Sequence, residues 1–184
     1  MRDIWLHLVM WAVASTTAPA DTLAQASASP EYQLKAVFLF NFAQFVEWPA
    51  SEFPQPDTPL LICVLGEDPF GTYLDETVRG ELVGNHPLAV RRYRGVDEIK
   101  TCHILFVSPR EQGRMAEILE SLKGRSVLTV GDAEHFASRG GMIRFVTEHN
   151  RIRLHINLEA AKAANLTISS KLLRPALIVS AGED

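Results

Sequence analysis

The stretch "LLICVLG", Leu60–Gly66, is an unbroken apolar run that follows a proline-rich loop, "PASEFPQPDTP", at residues 49–59. Strands with one face in solvent alternate between apolar and polar residues, whereas strands covered on both faces have continuous apolar runs. Parallel sheets between two layers of helices contain strands of the second kind. The stretch therefore predicts a central strand of a parallel sheet.

The residues after this strand alternate between helix-like and strand-like segments. The pattern predicts helices over 70–78 and 111–123, a helical turn over 96–100, and strands over 88–93, 103–107 and 127–130. Such alternation is typical of βαβ units, which build a mostly parallel sheet with helices on both faces. We therefore expect an α/β fold.

The stretch "MIRFVTEHNRIRLHIN", residues 142–157, changes the pattern to two alternating runs joined by His149-Asn150. Asn tolerates the positive φ that a two-residue hairpin turn requires. Pairing Glu148 with Arg151 sets a register that separates two faces. One carries Ile143, Phe145, Thr147, Ile152, Leu154 and Ile156, and the other carries Arg144, Val146, Glu148, Arg151, Arg153 and His155. This separation predicts an antiparallel hairpin, which a helix over 158–164 and a terminal segment follow.

Before the central strand, "KAVFLFNFAQFVEWP" at residues 35–49 lies in a predicted helix. Ser29 and Pro30 form a favourable helix start, and the helix should run to Glu47, where Trp48-Pro49 ends it. At about 100° per residue, one wide apolar arc faces the sheet. It contains Leu34, Val37, Phe38, Leu39, Phe42, Phe45 and Val46.

Phe40 lies on the polar side of this helix, and Asn41 lies within the apolar arc. A single exposed Phe is common on proteins. Trp48 and Phe53 are near Phe40 in sequence, however, and contiguous exposed apolar patches mark partner sites. The candidate partner-binding residues are Phe40, Glu47, Trp48 and Phe53. The basic face of the hairpin is a second candidate surface, or a solvated stripe.

The N-terminus, "MRDIWLHLVMWAVASTTAPADTLAQASAS", has Arg2, an apolar run over 4–14, and Ala-x-Ala sites that end at Ala20 and Ala26. This is the layout of a secretory signal peptide. The apolar run is shorter than the roughly 20 residues that span a bilayer. We expect a signal peptide at 1–26, cleaved after Ala26 rather than Ala20, and one domain over 30–181 without direct membrane insertion.

The formal net charge of −4 gives no sign of a nucleic-acid partner. The turn "GEDPFG", Gly66–Gly71, is not a dinucleotide-binding G-x-G-x-x-G motif, and Thr72-Tyr73 follow where a P-loop needs Lys and Ser or Thr. The chain contains no G-x-S-x-G or H-E-x-x-H motif, and its histidines have no metal-ligand spacing. We therefore expect no catalytic site, no metal and no cofactor.

Doubly wound folds bind ligands beyond the carboxyl ends of their strands. The candidate ligand-binding residues at these positions are Gly66, Asp68, Gly71, Ser108, Arg110 and Asp132. Glycines and carboxylates in turns more commonly have structural roles, so both interpretations stay open.

Cys63 and Cys102 remain after signal cleavage. In an oxidising compartment an even pair is consistent with one disulfide, which would stabilise the fold by about 3–4 kcal/mol by closing a loop of about 40 residues. Two buried thiols are the alternative. A metal site at Cys102-His103 is disfavoured, because adjacent strand residues point to opposite faces.

Four stretches resemble the YfiR family of bacterial periplasmic proteins, from about Tyr32 to Arg174. They are "YQLKAVFLFNFAQFVEWP", "LLICVLGEDPFG", "CHILFVS" and "VLTVGDAEHFASRGGMIRFVTEHNRIRLHINLEAAKAANLTISSKLLR". The resemblance implies a Rossmann-like three-layer sandwich and a disulfide between Cys63 and Cys102. The chain departs from the family at Pro175, which predicts that the last helix breaks near Arg174.

The namesake of this family represses an inner-membrane diguanylate cyclase and so controls cyclic-di-GMP signalling and biofilm formation. By resemblance, we expect a non-catalytic periplasmic regulatory protein that binds the periplasmic domain of an inner-membrane signalling protein. The alternative is a periplasmic sensor domain that binds a small ligand. A homodimer is compatible with either hypothesis.

Overall fold

The computed structural model describes residues 28–182, so the predicted signal peptide at 1–26 lies outside the described residues. The helices are α1 (Pro30–Phe45), α2 (Thr72–Val78), α3 (Met115–Ser121), α4 (Leu158–Ala163) and α5 (Ser170–Leu173). The strands are β1 (Val46–Glu47), β2 (Leu60–Leu65), β3 (Leu82–Val83), β4 (His86–Tyr93), β5 (Ile104–Val107), β6 (Leu128–Gly131), β7 (Ile143–Glu148), β8 (Arg151–Ile156), β9 (Thr167–Ile168) and β10 (Leu177–Ile178). Short 3-10 helices cover Ala50–Glu52, Val96–Glu98 and Pro109–Arg114.

Eight strands form one sheet in the order β10-β8-β7-β6-β5-β2-β4-β3. The strands β4, β2, β5, β6 and β7 run parallel, β8 returns antiparallel to β7, and β3 is antiparallel to β4. All six residues of β2 are buried, as its continuous apolar run predicts. The predicted α/β class, with a mostly parallel sheet and a C-terminal hairpin, is confirmed.

The two faces of the sheet bury separate apolar clusters. Ile62 and Val64 of β2 pack in a cluster with residues of α1, α2, α4 and α5. Leu61, Cys63 and Leu65 point the other way, into a cluster with residues of α3. Helices therefore cover both faces, which gives the three layers of the expected sandwich.

The hairpin has the predicted register, with Glu148 opposite Arg151 and Ile143 opposite Ile156. His149 and Asn150 have φ values of 49° and 58°, so both turn residues lie in the left-handed region that a type I′ turn requires. Beyond the hairpin, β10 pairs only with the last two residues of β8. The rest of the outer edge of β8 has no strand partner among residues 28–182.

Helix α1 starts at Pro30 as predicted but ends at Phe45, because Val46 and Glu47 pair with β9 as the strand β1. The predicted apolar arc is wrong in part. Leu34 and Val37 are 44% and 37% exposed. The buried residues of the helix are Lys35, Ala36, Leu39, Phe42 and Ala43. The helix is apolar on nearly all sides, so hydrophobicity alone does not decide which side faces the sheet.

The C-terminal segment confirms the predicted break. Helix α5 ends at Leu173 with Arg174 as its C-cap residue, and Pro175 follows. The chain then turns back to the sheet, where β10 runs parallel to β8.

A disulfide joins Cys63, in β2, to Cys102, two residues before β5. The Cα atoms are 6.2 Å apart, within the usual range for a disulfide. Both cysteines are buried in the cluster on the α3 side of the sheet. The pairing implied by the family resemblance is therefore present.

Candidate functional site

Glu31, Tyr32, Lys35 and Asp132 form a cluster that attaches the first turns of α1 to the carboxyl edge of the sheet. We call it the buried charge cluster because the side chains of its central pair, Lys35 and Asp132, are buried, whereas Tyr32 is half-buried and Glu31 is exposed. The Nζ atom of Lys35 lies 2.6 Å from Asp132 Oδ2 and 2.7 Å from Glu31 Oε1. The Tyr32 hydroxyl donates to the same Oδ2 of Asp132 at 2.8 Å. The Lys35 side chain is only 3% exposed, so these partners replace the contacts with water that its ammonium group loses on burial.

The electrostatics of this cluster follow from the same contacts. The hydrogen bond from Lys35 lowers the pKa of Glu31. Burial raises the pKa of Tyr32, and the negative charge of Asp132 raises it further. The other carboxylate oxygen of Asp132, Oδ1, is buried and accepts no hydrogen bond within residues 28–182.

Three of the six predicted ligand-binding residues meet at this edge. Gly66, Ser108 and Asp132 directly follow the parallel neighbours β2, β5 and β6. The Ser108 backbone N–H donates to the Leu65 carbonyl at 3.0 Å, which holds the first two strand ends together. The sequence therefore predicted correctly where these residues lie, and their ligand-binding role stays a prediction.

Asp68 and Gly71 are engaged by Arg92, which follows in β4. The Arg92 Nε atom donates to Asp68 at 2.6 Å, and one terminal nitrogen donates to the Gly71 carbonyl at 2.7 Å. Asp75, in α2, accepts from both terminal nitrogens at 2.5 and 3.1 Å. The polar groups of this turn therefore have partners in the protein itself.

The space between the turns after β2 and β5 is also filled. Gly66 has a φ of +87°, and a Cβ atom built on it would lie 2.8 Å from the Glu111 carboxylate. Arg110 forms an ion pair with Glu67 across the same gap. A ligand at this edge would have to displace these charged side chains.

Two of the predicted partner-binding residues, Trp48 and Phe53, belong to a half-buried aromatic stack with His86 and His103. The Phe53 ring lies between the two imidazoles, with centroid distances of 4.1 Å to His86 and 4.8 Å to His103. Trp48 packs edge-on against His103 and donates from Nε1 to its carbonyl at 3.3 Å. These contacts hold the proline-rich loop against the sheet.

Within this aromatic stack, His103 is fully buried, and its Nδ1 atom accepts from the Leu61 backbone N–H at 3.0 Å. An accepting Nδ1 requires a neutral ring. Burial lowers the pKa of His103, although Glu52 partly opposes this change. The other ring nitrogen, Nε2, is buried without a hydrogen-bond partner in the described part of the chain.

The two remaining predicted partner residues, Phe40 and Glu47, differ in exposure. Phe40 is half-buried and packs against the core, so it is not the exposed residue that the sequence predicted. Glu47 is exposed in β1.

The side of α1 that points away from the sheet carries Leu34, Val37, Asn41 and Gln44, which we call the outer face of α1. Leu34, Val37 and Gln44 are exposed, and Asn41 is half-buried. The residues follow one another at intervals of three, four and three, so they lie along one line on the helix. Leu34 and Val37 are among the few large apolar residues exposed on the described chain.

Residues 32–176, more than half of the chain, match the sequence model of the YfiR/HmsC-like family. The chain belongs to this family. The resemblance drawn from the sequence is therefore confirmed, whereas among curated proteins no match is found.

In this YfiR/HmsC-like chain, residues 28–182 contain no helix that has both the length and the apolarity needed to cross a membrane. Over the same residues, His, Cys, Asp and Glu side chains form no group of three or more that could hold a metal ion.

Sequence reasoning missed Lys35, Arg92 and Glu111, which organise the carboxyl edge of this family member. The signal for Lys35 is a lone lysine within an apolar helix. Arg92 carries no comparable signal, because a charged residue near the end of a strand is commonplace.

Proposed function

We propose that this YfiR/HmsC-like chain is a non-catalytic periplasmic regulatory protein that binds and restrains a membrane signalling enzyme. The family points to a diguanylate cyclase as that enzyme, and hence to control of cyclic-di-GMP signalling. The observation that carries the proposal is the outer face of α1, where Leu34 and Val37 remain exposed although the helix already buries its opposite side.

The spacing of this outer face suits another helix. Residues at alternating intervals of three and four form the seam along which two helices pack at a shallow angle. Leu34 and Val37 supply apolar contacts in such a seam. Asn41 would fix the register, as single polar residues do in helix pairs.

Inhibition would follow from unequal affinity for two states of the partner. A ligand shifts a conformational equilibrium only by the difference between its binding free energies for the two states. The regulator must therefore bind the inactive enzyme more tightly than the active one, and no chemistry on its own surface is required.

The test is a calorimetric titration of the purified protein with the periplasmic domain of a diguanylate cyclase from the same organism. We expect Leu34→Glu/Val37→Glu to weaken binding by at least about 100-fold, because two carboxylates would be buried in an apolar seam. The melting temperature should change by no more than about 2 °C, since both side chains are exposed.

Leu82→Glu is the matched control, because Leu82 is 59% exposed and lies in β3 rather than on α1. This variant should bind as the wild type does. Unchanged affinity of the Leu34→Glu/Val37→Glu variant would exclude the outer face of α1 as the interface. The other predicted partner residues, Phe40, Glu47, Trp48 and Phe53, would then be tested, starting with exposed Glu47.

A further inference from the structure

A groove of about 380 Å³ lies between α3, α4 and the start of β6. Cavities of about 300–1,000 Å³ are typical of small-molecule sites. The groove shares no residue with the buried charge cluster, the aromatic stack or the outer face of α1. An occupant of this groove would therefore be additional to the partner proposed above.

The wall of the groove is apolar and made largely of short side chains. Ala160 and Ala163 of α4 and its C-cap residue, Ala164, line one side, so that only methyl groups project into the groove from there. Leu119 and Leu122 line the side formed by α3 and its C-terminal end. The main polar group on the floor, the Thr129 hydroxyl, already accepts a hydrogen bond from the Met142 N–H at 3.1 Å.

The rim of the groove is positively charged. Lys123, Arg125 and Arg139 line it, together with the single acid Glu120, which pairs with Lys123 at 3.2 Å. Neither Arg125 nor Arg139 forms an ion pair with another residue of the described chain, although one terminal nitrogen of Arg125 donates to the Lys100 carbonyl at 3.1 Å. This local excess of positive charge contrasts with the formal net charge of −4 for the whole chain.

An apolar wall with an unneutralised cationic rim is complementary to a molecule with an apolar body and an anionic end. An Arg guanidinium group matches a carboxylate especially well, because its parallel N–H bonds can donate to both carboxylate oxygens. At about 30 Å³ per water-sized group, the groove accommodates about a dozen heavy atoms.

We propose that this groove binds a small amphipathic carboxylate. A linear apolar tail of about ten carbon atoms lies against Leu119, Leu122 and the alanines of α4. The carboxylate pairs with Arg125 and Arg139 at the rim. This is a ligand site on the regulator itself, distinct from the surface that engages the partner enzyme.

The first experiment titrates the purified protein with decanoate in a calorimeter, below the concentration at which decanoate forms micelles. We expect saturable binding to one site. Decyltrimethylammonium has the same tail with the opposite charge, and it should bind at least about tenfold more weakly because it meets the cationic rim.

Two variants locate the site. Arg125→Gln/Arg139→Gln should weaken decanoate binding at least about tenfold through loss of the charge-assisted hydrogen bonds. Ala163→Trp should abolish binding by filling the groove, and since Ala163 is exposed, the melting temperature should stay within about 2 °C of the wild type.

The matched control is Arg91→Gln/Arg94→Gln, which removes the same charge from exposed positions in and just after β4. Its affinity for decanoate should equal that of the wild type. The proposal is overturned if decanoate shows no saturable binding, if the cationic analogue binds equally well, or if Arg125→Gln/Arg139→Gln leaves the affinity unchanged. Should that double variant fail to fold, Arg139→Gln alone replaces it with the same expectation.

None of these outcomes depends on the proposed partner. Leu34→Glu/Val37→Glu should bind decanoate like the wild type, because the outer face of α1 does not line the groove. Loss of partner binding and loss of decanoate binding are therefore separable results.

Discussion

At the scale of single residues, Lys35 has an ammonium group out of water between two carboxylates. Lys35 and Asp132 are the buried pair. Removing each of these two ions from water costs several kcal/mol, and only good geometry with further hydrogen bonds offsets this cost. The Tyr32 hydroxyl supplies one such bond to Asp132. The pair is therefore most sensitive to the loss of one partner, which leaves the other charge buried alone.

Lys35→Met should lower the free energy of unfolding by about 3–5 kcal/mol, because it leaves the Asp132 carboxylate uncompensated. Urea unfolding at pH 7 measures the change. Lys35→Met/Asp132→Asn should recover part of the loss, since the neutral amide oxygen can still accept from Tyr32. A loss below about 1 kcal/mol in the single variant would contradict a stabilising role for the pair.

His103 predicts a pH dependence. Its folded-state pKa lies below the unfolded value of about 6.5, because burial disfavours the charged ring and Nδ1 is already an acceptor. The unfolded chain therefore binds the proton more readily. Stability is fully present above about pH 6.5 and falls as the pH drops from there towards the folded pKa. The pKa of Glu31 is also lowered. Its contribution to stability is present above about pH 4.5 and is lost as the pH falls below that value.

Denaturant unfolding between pH 7.5 and 5.0 tests this dependence. His103→Asn keeps an acceptor near the Leu61 N–H but does not titrate, so its stability should change less over that range. The titratable groups near His103 are His86 on β4 and Glu52 in the 3-10 helix, and both remain in the variant. Parallel pH profiles of the two proteins would show that His103 is not the titrating group.

Side-chain contacts between residues that are distant in sequence were the least predictable part of the site. The composition at strand ends correctly placed Gly66, Ser108 and Asp132 at one edge. Nothing local predicts that Arg92 binds Asp68, 24 positions earlier, or that the Glu111 side chain lies over Gly66. Such contacts depend on how the turns pack, which residue spacing does not encode.

At the scale of elements, α1 buries one side against the sheet and exposes apolar residues on the other. The following loop is held separately, by the insertion of Phe53 between His86 and His103 and by the hydrogen bond from Trp48. Trp48 is therefore a structural residue as well as a candidate for partner binding.

Trp48→Ala should lower the free energy of unfolding by about 2–3 kcal/mol, since it removes a large half-buried ring and one hydrogen bond. Exposed Glu47, the preceding residue, provides the control, and Glu47→Ala should change stability by less than about 0.5 kcal/mol. Thermal and urea unfolding of both variants measure the difference. Equal stabilities would mean that the aromatic stack does not hold the loop in place.

Elements with a long and regular pattern were predictable, and short ones were not. The continuous run of β2 and the alternation of the hairpin gave the right elements and the right register. Two-residue strands such as β1, β9 and β10 have no period to detect. The orientation of α1 could not be predicted because apolar residues occur around its whole circumference.

At the scale of the whole molecule, the disulfide connects the central strand β2 to the segment that enters β5, its neighbour in the sheet. The two cysteines are separated by 39 positions. A cross-link over that distance restricts the unfolded chain more than the folded one, in which the strands are already adjacent.

Cys63→Ala/Cys102→Ala should therefore lower the free energy of unfolding by about 4 kcal/mol. Alanine is the suitable replacement, because both sites are buried in an apolar cluster. Urea unfolding of the variant, and of the wild type with and without a reductant, gives the comparison. The reduced wild type should resemble the variant, and a variant as stable as the oxidised protein would contradict the expectation.

The short strand β10 has a consequence for behaviour at high concentration. It pairs only with the last two residues of β8, so no strand within residues 28–182 covers the outer edge of β8 at Arg151 and Arg153. Charged side chains at such an edge oppose strand addition. The two exposed arginines would thus protect the protein from edge-to-edge aggregation, and replacing both with valine should turn a clear concentrated solution into one that scatters light and binds amyloid dyes.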